Sequence, residues 1–319
     1  MYAYARRVFA LYYVPICLLI VLSSCAHRSC LVRRKVYIKK ASLASEKPSP
    51  EACQQVDPTL SVWVHGTMFG LDALFKKAFD AKPGIKHLHE MPHHHFLTLR
   101  MKALADQCSD FFPYESVYCF CWSGRLNNVE REKTAYCLHK VLVALLDEYQ
   151  TQHGFIPRIR LVCHSHGANV ALNLARINAH ATRKITVDTL ILFACPVQCE
   201  TKELVHDPMF KRIYSLYSPL DWVQVVAPQW ACCVYNEKGS VIASKQQWLP
   251  LSGRRFGASP TLRQAWVKMN GLALSHSDFS SKKFLRLLPQ FLEEMDKAYD
   301  EHPELFTCSK ELLLHIKRP

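Results

Sequence analysis

One serine in the chain has a sequence context that favours nucleophilic chemistry. Ser165 stands in the run CHSHG, which follows an apolar strand-like segment and precedes the helix-forming residues 168–177. A serine hydroxyl attacks poorly unless the backbone aims it and a base takes its proton. A sharp strand-to-helix turn provides the aim, and it needs small residues such as Gly167 around the serine. The pattern therefore predicts Ser165 as a nucleophile.

This segment resembles the GxSxG nucleophile elbow of the α/β-hydrolases, specifically the HSHG form found in lipase-like members. One position departs from the family pattern, because Cys163 stands where the first glycine is usual. The resemblance implies the α/β-hydrolase fold, an α/β architecture with a mostly parallel central sheet, helices on both faces and a possible cap insertion. It also implies a serine ester hydrolase that forms an acyl-enzyme and needs neither a cofactor nor a metal.

The acid and the base of such an enzyme follow the serine in the chain. Asp221 comes directly after the predicted strand 212–218, at the sheet edge where open parallel sheets bind ligands. His276 lies in a polar loop before the last predicted helix, where the family places its base. We expect Asp221 to orient the imidazole of His276, which would take the proton of Ser165. The chain also offers Asp188 and Asp207 as alternative acids, and His302 and His315 as alternative bases.

Backbone amides near the serine are candidates for an oxyanion hole. The amide of His166, at the start of a helix, would point at negative charge that develops on the substrate. The loop 64–70 resembles the HG oxyanion loop of the family, so Thr67 or Met68 would supply a second amide. The side chains of His164 and His166 are expected to pack, or to line the mouth of the site.

Apolar, β-rich segments alternate with helical segments, which predicts a parallel sheet covered on both faces. The predicted strands are 60–64, 116–122, 158–163, 187–194 and 212–218, and the predicted helices are 129–148, 168–177 and 284–299. Two insertions, 82–108 and 229–259, are positioned to overhang a substrate pocket. The second has the pattern of a hairpin or cap.

The first 24 residues have the pattern of an export signal. Two arginines precede the apolar run 8–22. The last residue of this run begins the sequence LSSC, which ends at Cys25. This ending resembles the lipobox of bacterial lipoproteins, which implies cleavage before Cys25 and lipidation of that cysteine. The alternative is an uncleaved anchor, although the run is interrupted by Pro15 and is shorter than the roughly 20 residues of a membrane span.

The charge of the chain favours anionic surfaces. Lysine and arginine number 40 against 27 acidic residues, a formal net charge of +13. A basic flank follows the apolar run and consists of Arg28, Arg33, Arg34, Lys35, Lys39 and Lys40. It predicts either contact with anionic lipid headgroups or a solvated linker. The sequence lacks the signatures of a nucleic-acid-binding module, so nucleic acid is not an expected partner.

The cysteines and histidines do not predict a metal site. The 14 cysteines lack paired CxxC spacing, and most are expected to be buried thiols, with some disulfides possible in an oxidising compartment. A histidine cluster is formed by His87, His89, His93, His94 and His95. Three adjacent histidines cannot all face one ion on regular structure, so a solvated loop is the preferred interpretation.

These patterns together predict a signal peptide at 1–24, a tether or linker at 25–58 and a hydrolase domain at 59–319. The expected function is hydrolysis of carboxylic esters, with acyl lipids as the expected substrates, by a lipoprotein anchored at the cell envelope outside the cytoplasm. Two alternatives stay open: a catalytically silent hydrolase fold that binds lipid or envelope components, and a lipid acyltransferase. The sequence leaves the oligomeric state open.

Overall fold

A computed structural model describes most of the chain from residue 30 onward. The described residues are 30–37, 58–67, 84–92, 96–125, 128–226, 232–235, 241–245, 252–307 and 309–317. The predicted signal, Cys25, Met68 and the histidines at 93–95 lie outside these ranges.

The described strands number twelve, and ten of them form one large sheet. They are β1 Cys30–Tyr37, β2 Thr59–Val64, β3 Gly84–His87, β4 Val117–Cys121, β5 Arg158–His164, β6 Thr189–Phe193, β7 Ile213–Tyr217, β8 Cys232–Tyr235, β9 Val241–Lys245, β10 Leu262–Met269, β11 Leu272–Ala273 and β12 Lys310–Lys317. The order across the large sheet is β1-β12-β10-β7-β6-β5-β2-β4-β3, and β11 pairs with β10. The pairs from β1 to β4 along this order are parallel, whereas β3 and β11 pair antiparallel with their neighbours.

Helices cover both faces of this sheet. They are α1 Phe96–Gln107, α2 Asn128–His153, α3 His166–His180, α4 Trp222–Val226, α5 Lys282–Leu285 and α6 Leu288–Glu301. One apolar core joins the sheet to α2 and α3, and a second core joins the opposite face to α1, α5 and α6. The protein therefore has the α/β architecture of a mostly parallel sheet between two helical layers, consistent with an α/β-hydrolase-like fold.

The alternation of side chains along the central strands assigns residues to the two cores. In β5, Leu161 and Cys163 belong to the core under α2 and α3, whereas Val162 belongs to the opposite core. The neighbouring β2 alternates in the same way through Val62 and Trp63. Strands buried on both faces read as nearly continuous apolar runs, which is why the sequence pattern finds these central strands.

Four strands of the large sheet, besides the short β11, were not predicted from the sequence, and they lie on either side of the predicted central strands. Strand β1 lies within the range 25–58 that was predicted as a tether, and it pairs in parallel with β12 along its whole length. Strand β12 follows the last predicted helix in a region where no strand was predicted; Leu312 and Leu314 join the core, while its two ends are lysines. Strands β3 and β10 were also missed, because their polar residues interrupt the apolar pattern.

The basic flank is partly incorporated in the sheet. Arg33 and Lys35 are exposed on β1, and Arg34 forms an ion pair with Glu301 of α6. The predicted hairpin in the second insertion is present as the antiparallel pair β8 and β9. Within the described residues, no helix is both long and apolar enough to cross a membrane.

Candidate active site

Ser165 lies at a strained turn between β5 and α3. Its backbone angles are φ 54° and ψ −132°, and only 4% of its surface is exposed. Such angles are rare for a residue with a β-carbon and cost about 1–3 kcal/mol. The turn is held by the amide of Ser165, which donates to the main-chain oxygen of Phe193 on β6 at 2.8 Å. A strained serine between a strand and a helix is the geometry that the sequence predicted for a nucleophile elbow.

Two glycines allow the elbow to pack against the end of β2. A β-carbon on Gly167 would lie 2.4 Å from the main-chain oxygens of both Val64 and His65. A β-carbon on Gly66 would lie 2.6 Å from the Cβ of Ser165 and 2.9 Å from the main-chain oxygen of His164. Both positions therefore require glycine, because the contacts are too close for any side chain.

The departure at Cys163 is accommodated by burial. Its side chain is fully buried in the core under α2 and α3, and burial raises the pKa of its thiol well above the ordinary value. The thiol therefore behaves as a small apolar group, which the turn tolerates beside the serine.

The predicted acid and the predicted base form a hydrogen bond. His276 Nδ1 lies 2.8 Å from Oδ2 of Asp221, whose side chain is fully buried while that of His276 is 16% exposed. Because an ionised carboxylate only accepts, Nδ1 carries the proton and Nε2 is the basic nitrogen of the neutral ring. The other oxygen of Asp221 accepts the amide of Gln224 at 3.0 Å, so both oxygens of this buried carboxylate are bonded.

Local structure fixes the ends of both loops. Asp221 follows β7 and precedes α4, at the carboxyl edge of the parallel sheet. His276 is the first residue of a 3-10 helix, His276–Ser280, which is capped by Ser275. The carboxylate of Asp278 accepts the amide and the hydroxyl of Ser275 at 2.8 and 2.7 Å, so it serves the cap.

His164 contacts His276, the predicted base, from the end of β5. Its Nε2 lies 3.1 Å from the main-chain oxygen of His276, and the two ring centroids are 4.8 Å apart. Burial, followed by the neighbouring His276, lowers the pKa of His164 to about 3. The ring is therefore neutral near pH 7 and donates through Nε2, because a carbonyl oxygen only accepts. The sequence predicted that this side chain packs or lines the mouth of the site, since the type of a residue before a serine does not reveal a partner 112 positions away.

The start of the predicted oxyanion loop is fixed by hydrogen bonds between His65 and Trp122. The main-chain amide of Trp122 donates to Nε2 of His65 at 3.2 Å, and its indole N–H donates to the main-chain oxygen of His65 at 2.7 Å. Nδ1 of His65 donates to the oxygen of Gly66 at 2.7 Å. Burial lowers the pKa of His65 to about 4, which keeps this arrangement neutral. The sequence analysis did not predict a role in the site for the side chain of either residue, although His65 is the first residue of the HG dipeptide.

The predicted oxyanion donors are described in part. His166 begins α3, and Ser165 gives that helix no side-chain cap. The amide of Ala168 donates to the main-chain oxygen of Ser165 at 3.0 Å, so the amides of His166 and Gly167 are the candidates for contact with a ligand. Thr67 ends the described part of its loop, next to the tightly packed Gly66, and Met68 lies beyond it. Burial, followed by the charge of Arg131, lowers the pKa of His166 to about 3, so its ring is neutral.

The alternative acids and bases occupy other positions. Asp188 pairs with Lys211 and accepts the amide of Ile159 at the opposite edge of the sheet. Asp207 accepts the amide of Met209 within a turn. His302 lies by Glu304 after α6, and His315 of β12 accepts the amide of Gly271. Of the candidates, the structure brings Asp221 and His276 into contact.

The histidine cluster is described only in part. His87 caps a short 3-10 helix, Leu88–Glu90, and its Nε2 lies 3.0 Å from the main-chain oxygen of Glu115. Among the residues that the structure describes, no group of three or more histidine, cysteine or acidic side chains is arranged to hold a metal ion.

Comparison with known proteins adds little to this geometry. No protein-family model matches the chain, and no curated protein matches it in sequence. A solved structure of an arylesterase aligns over 75% of this chain and 76% of its own length, with 11% sequence identity and a TM-score of 0.36. A likeness this distant carries no argument about the site.

Proposed function

We propose that the protein is a serine hydrolase that cleaves carboxylic esters with a triad of Ser165, His276 and Asp221. The observation that carries this proposal is the 2.8 Å contact between His276 and the buried Asp221, which joins two loops 55 residues apart. The strained elbow at Ser165 gives independent support, because backbone strain of this kind clusters at functional sites.

The reaction uses the basic nitrogen of His276. As the Ser165 hydroxyl attacks the ester carbonyl, His276 Nε2 takes the hydroxyl proton and becomes an imidazolium. The carboxylate of Asp221 stabilises that cation and holds the ring in the required tautomer. The imidazolium then gives its proton to the leaving alkoxide, and the acyl group stays on the serine oxygen.

Water completes the cycle by the same route. His276 takes a proton from the attacking water, the acyl–serine bond breaks, and the proton returns to Ser165 as the acid leaves. Negative charge on the tetrahedral carbonyl oxygen is stabilised by the amide of His166 and a second amide from Thr67 or Met68. The neutral rings of His65 and His164 support the loops around this position.

Acyl lipids are the proposed substrates, and the support for them comes from the N-terminal sequence. The lipobox-like ending at Cys25 would tether the enzyme to a membrane, and the basic flank would approach anionic headgroups. A clickable palmitate analogue fed to a bacterium that processes lipoproteins tests the tether. Incorporation into the parent and its loss in Cys25→Ser are expected; equal labelling of both would remove this support.

Labelling by a fluorophosphonate probe tests the hydrolase itself. The full chain is compared with Ser165→Ala and His276→Ala, and with Ser215→Ala as a control, because Ser215 is a buried serine in the regular strand β7. We expect the probe to label the parent and Ser215→Ala, and not to label Ser165→Ala or His276→Ala. A folded parent that does not label would overturn the proposal.

A panel of esters that share one leaving group and differ in acyl length then tests the preference for acyl lipids.

A further inference from the structure

His164 stands between the two loops that the proposed reaction needs. On one side, its Nε2 lies 3.1 Å from the main-chain oxygen of His276. On the other side, a β-carbon added to Gly66 would lie 3.3 Å from Nδ1 of His164, so the ring lies beside the start of the proposed oxyanion loop. His164 is the last residue of β5, directly before Ser165. One side chain thus contacts the loop of His276 and lies beside Gly66, from the strand that leads into Ser165.

We propose that His164 is a positioning residue for His276, which it holds by a hydrogen bond to the main chain and by ring-to-ring packing. This inference depends on the proposed function, since His276 is the base there. Asp221 fixes one edge of the His276 ring through Nδ1. His164 fixes the backbone from which that ring projects, so the two contacts together restrict where Nε2 can point.

The ring contact also suits a base that becomes charged during the reaction. The centroids of His164 and His276 are 4.8 Å apart and the planes meet at 50°. Because His164 stays neutral near pH 7, it does not repel the imidazolium that forms on His276. A lysine or arginine at this position would oppose that charge, whereas a neutral donor does not.

Three variants separate hydrogen bonding from packing and from stability. His164→Phe keeps a ring and removes the donor, and His164→Gln keeps a donor and removes the ring. The control is His139→Phe, because His139 is also buried and its Nε2 lies 3.3 Å from Oδ1 of Asn178, between α2 and α3. Each variant is titrated with a fluorophosphonate, so that kcat is expressed per reactive serine.

A misplaced base lowers the rate of chemistry and leaves ground-state binding intact. We therefore expect His164→Phe to lower kcat about 10- to 100-fold with KM nearly unchanged, because small misplacements of reacting groups have costs of this size. His164→Gln should recover part of the loss. His139→Phe should lower the melting temperature without changing kcat per reactive serine.

The proton on Nδ1 of His276 gives a readout that is independent of turnover. A hydrogen bond to a carboxylate shifts this proton far downfield in the NMR spectrum, and it should be sharp in the parent, exchange-broadened in His164→Phe and sharp in His139→Phe. If the parent labels, but His164→Phe has the same kcat and the same downfield resonance as the parent, the positioning role of His164 is overturned and the proposed function is not. A parent that does not label overturns the proposed function instead. If His164→Phe does not fold, the same two readouts on His164→Gln decide, because loss of the ring should still broaden the resonance.

Discussion

Gly66 and Ser165 pack so closely that a β-carbon on Gly66 would lie 2.6 Å from the Cβ of Ser165. The end of β2 and the turn after β5 therefore meet without an intervening side chain. The close contact brings the proposed oxyanion loop beside the proposed nucleophile, and the two follow adjacent parallel strands, β2 and β5. A site built in this way is sensitive to a single methyl group at the contact.

Substitution of Gly66 tests this close packing. We expect Gly66→Ala to lower kcat/KM at least 100-fold and to lower the free energy of unfolding by about 1–3 kcal/mol, because neither backbone can move away without losing its strand contacts. Ester turnover and urea unfolding are the measurements. Gly257→Ala is the control, since a β-carbon there has nothing within 4 Å. Equal behaviour of the two variants would show that the contact is not restrictive.

The strain at Ser165 predicts an unusual order of stability. Ser165→Gly should be more stable than Ser165→Ala by about 1 kcal/mol, because glycine adopts a positive φ without a β-carbon penalty. In the regular strand β7, Ser215→Gly should instead be less stable than Ser215→Ala by about 0.5–1 kcal/mol. Urea midpoints of the four variants check both signs. The same sign at both positions would argue against stored strain at the elbow.

The role of Asp221 predicts a large effect from a nearly isosteric change. Asp221→Asn keeps the shape but presents an amide to His276 Nδ1, which favours the wrong tautomer. We expect kcat to fall about 10³- to 10⁴-fold. Asp296→Asn is the matched control, because Asp296 is a carboxylate that accepts the hydroxyl of Tyr214 at 2.9 and 2.8 Å away from the site. A loss of less than tenfold in Asp221→Asn would remove it from the triad.

The sequence predicted the centre of the fold better than its edges. Strands such as β5 are buried on both faces, so their apolar runs identify them without knowledge of their neighbours. Strand β1 is recognisable only from its pairing with β12. In that pairing Cys30 lies opposite Lys310, which is 280 positions later in the chain. Edge strands carry charges on their exposed face, and such a segment is indistinguishable from a linker in one sequence.

The candidate site divides in the same way. The contact between Asp221 and His276 could be predicted because each residue follows a recognisable element in a fixed chain order. The contact of His164 with His276 could not, because it depends on where a loop 112 residues away returns. The hydrogen bond between Trp122 and His65 likewise joins the ends of two strands that are neighbours only in the sheet order.

Burial of neutral histidines predicts that acid destabilises the fold. The pKa of His65 is about 4 in the folded protein against an ordinary value of 6.5, so the unfolded chain binds the proton more readily. The contribution of His65 to the free energy of unfolding is therefore complete above pH 6.5, falls as pH is lowered toward 4 and is constant below. From the difference between the two pKa values, the loss is about 3 kcal/mol.

Urea unfolding between pH 7 and pH 4 tests this dependence. His65→Asn removes one titrating group, so its free energy of unfolding should fall less steeply across this interval, even though the variant starts from a lower value. His164 and His166 titrate in the same direction, because burial lowers their pKa values to about 3, so the variant should keep part of the slope. Two parallel curves would mean that His65 does not remain neutral in the folded protein. In that case the hydrogen bond from the amide of Trp122 to Nε2 of His65, which needs an unprotonated nitrogen, would not hold the start of the proposed oxyanion loop.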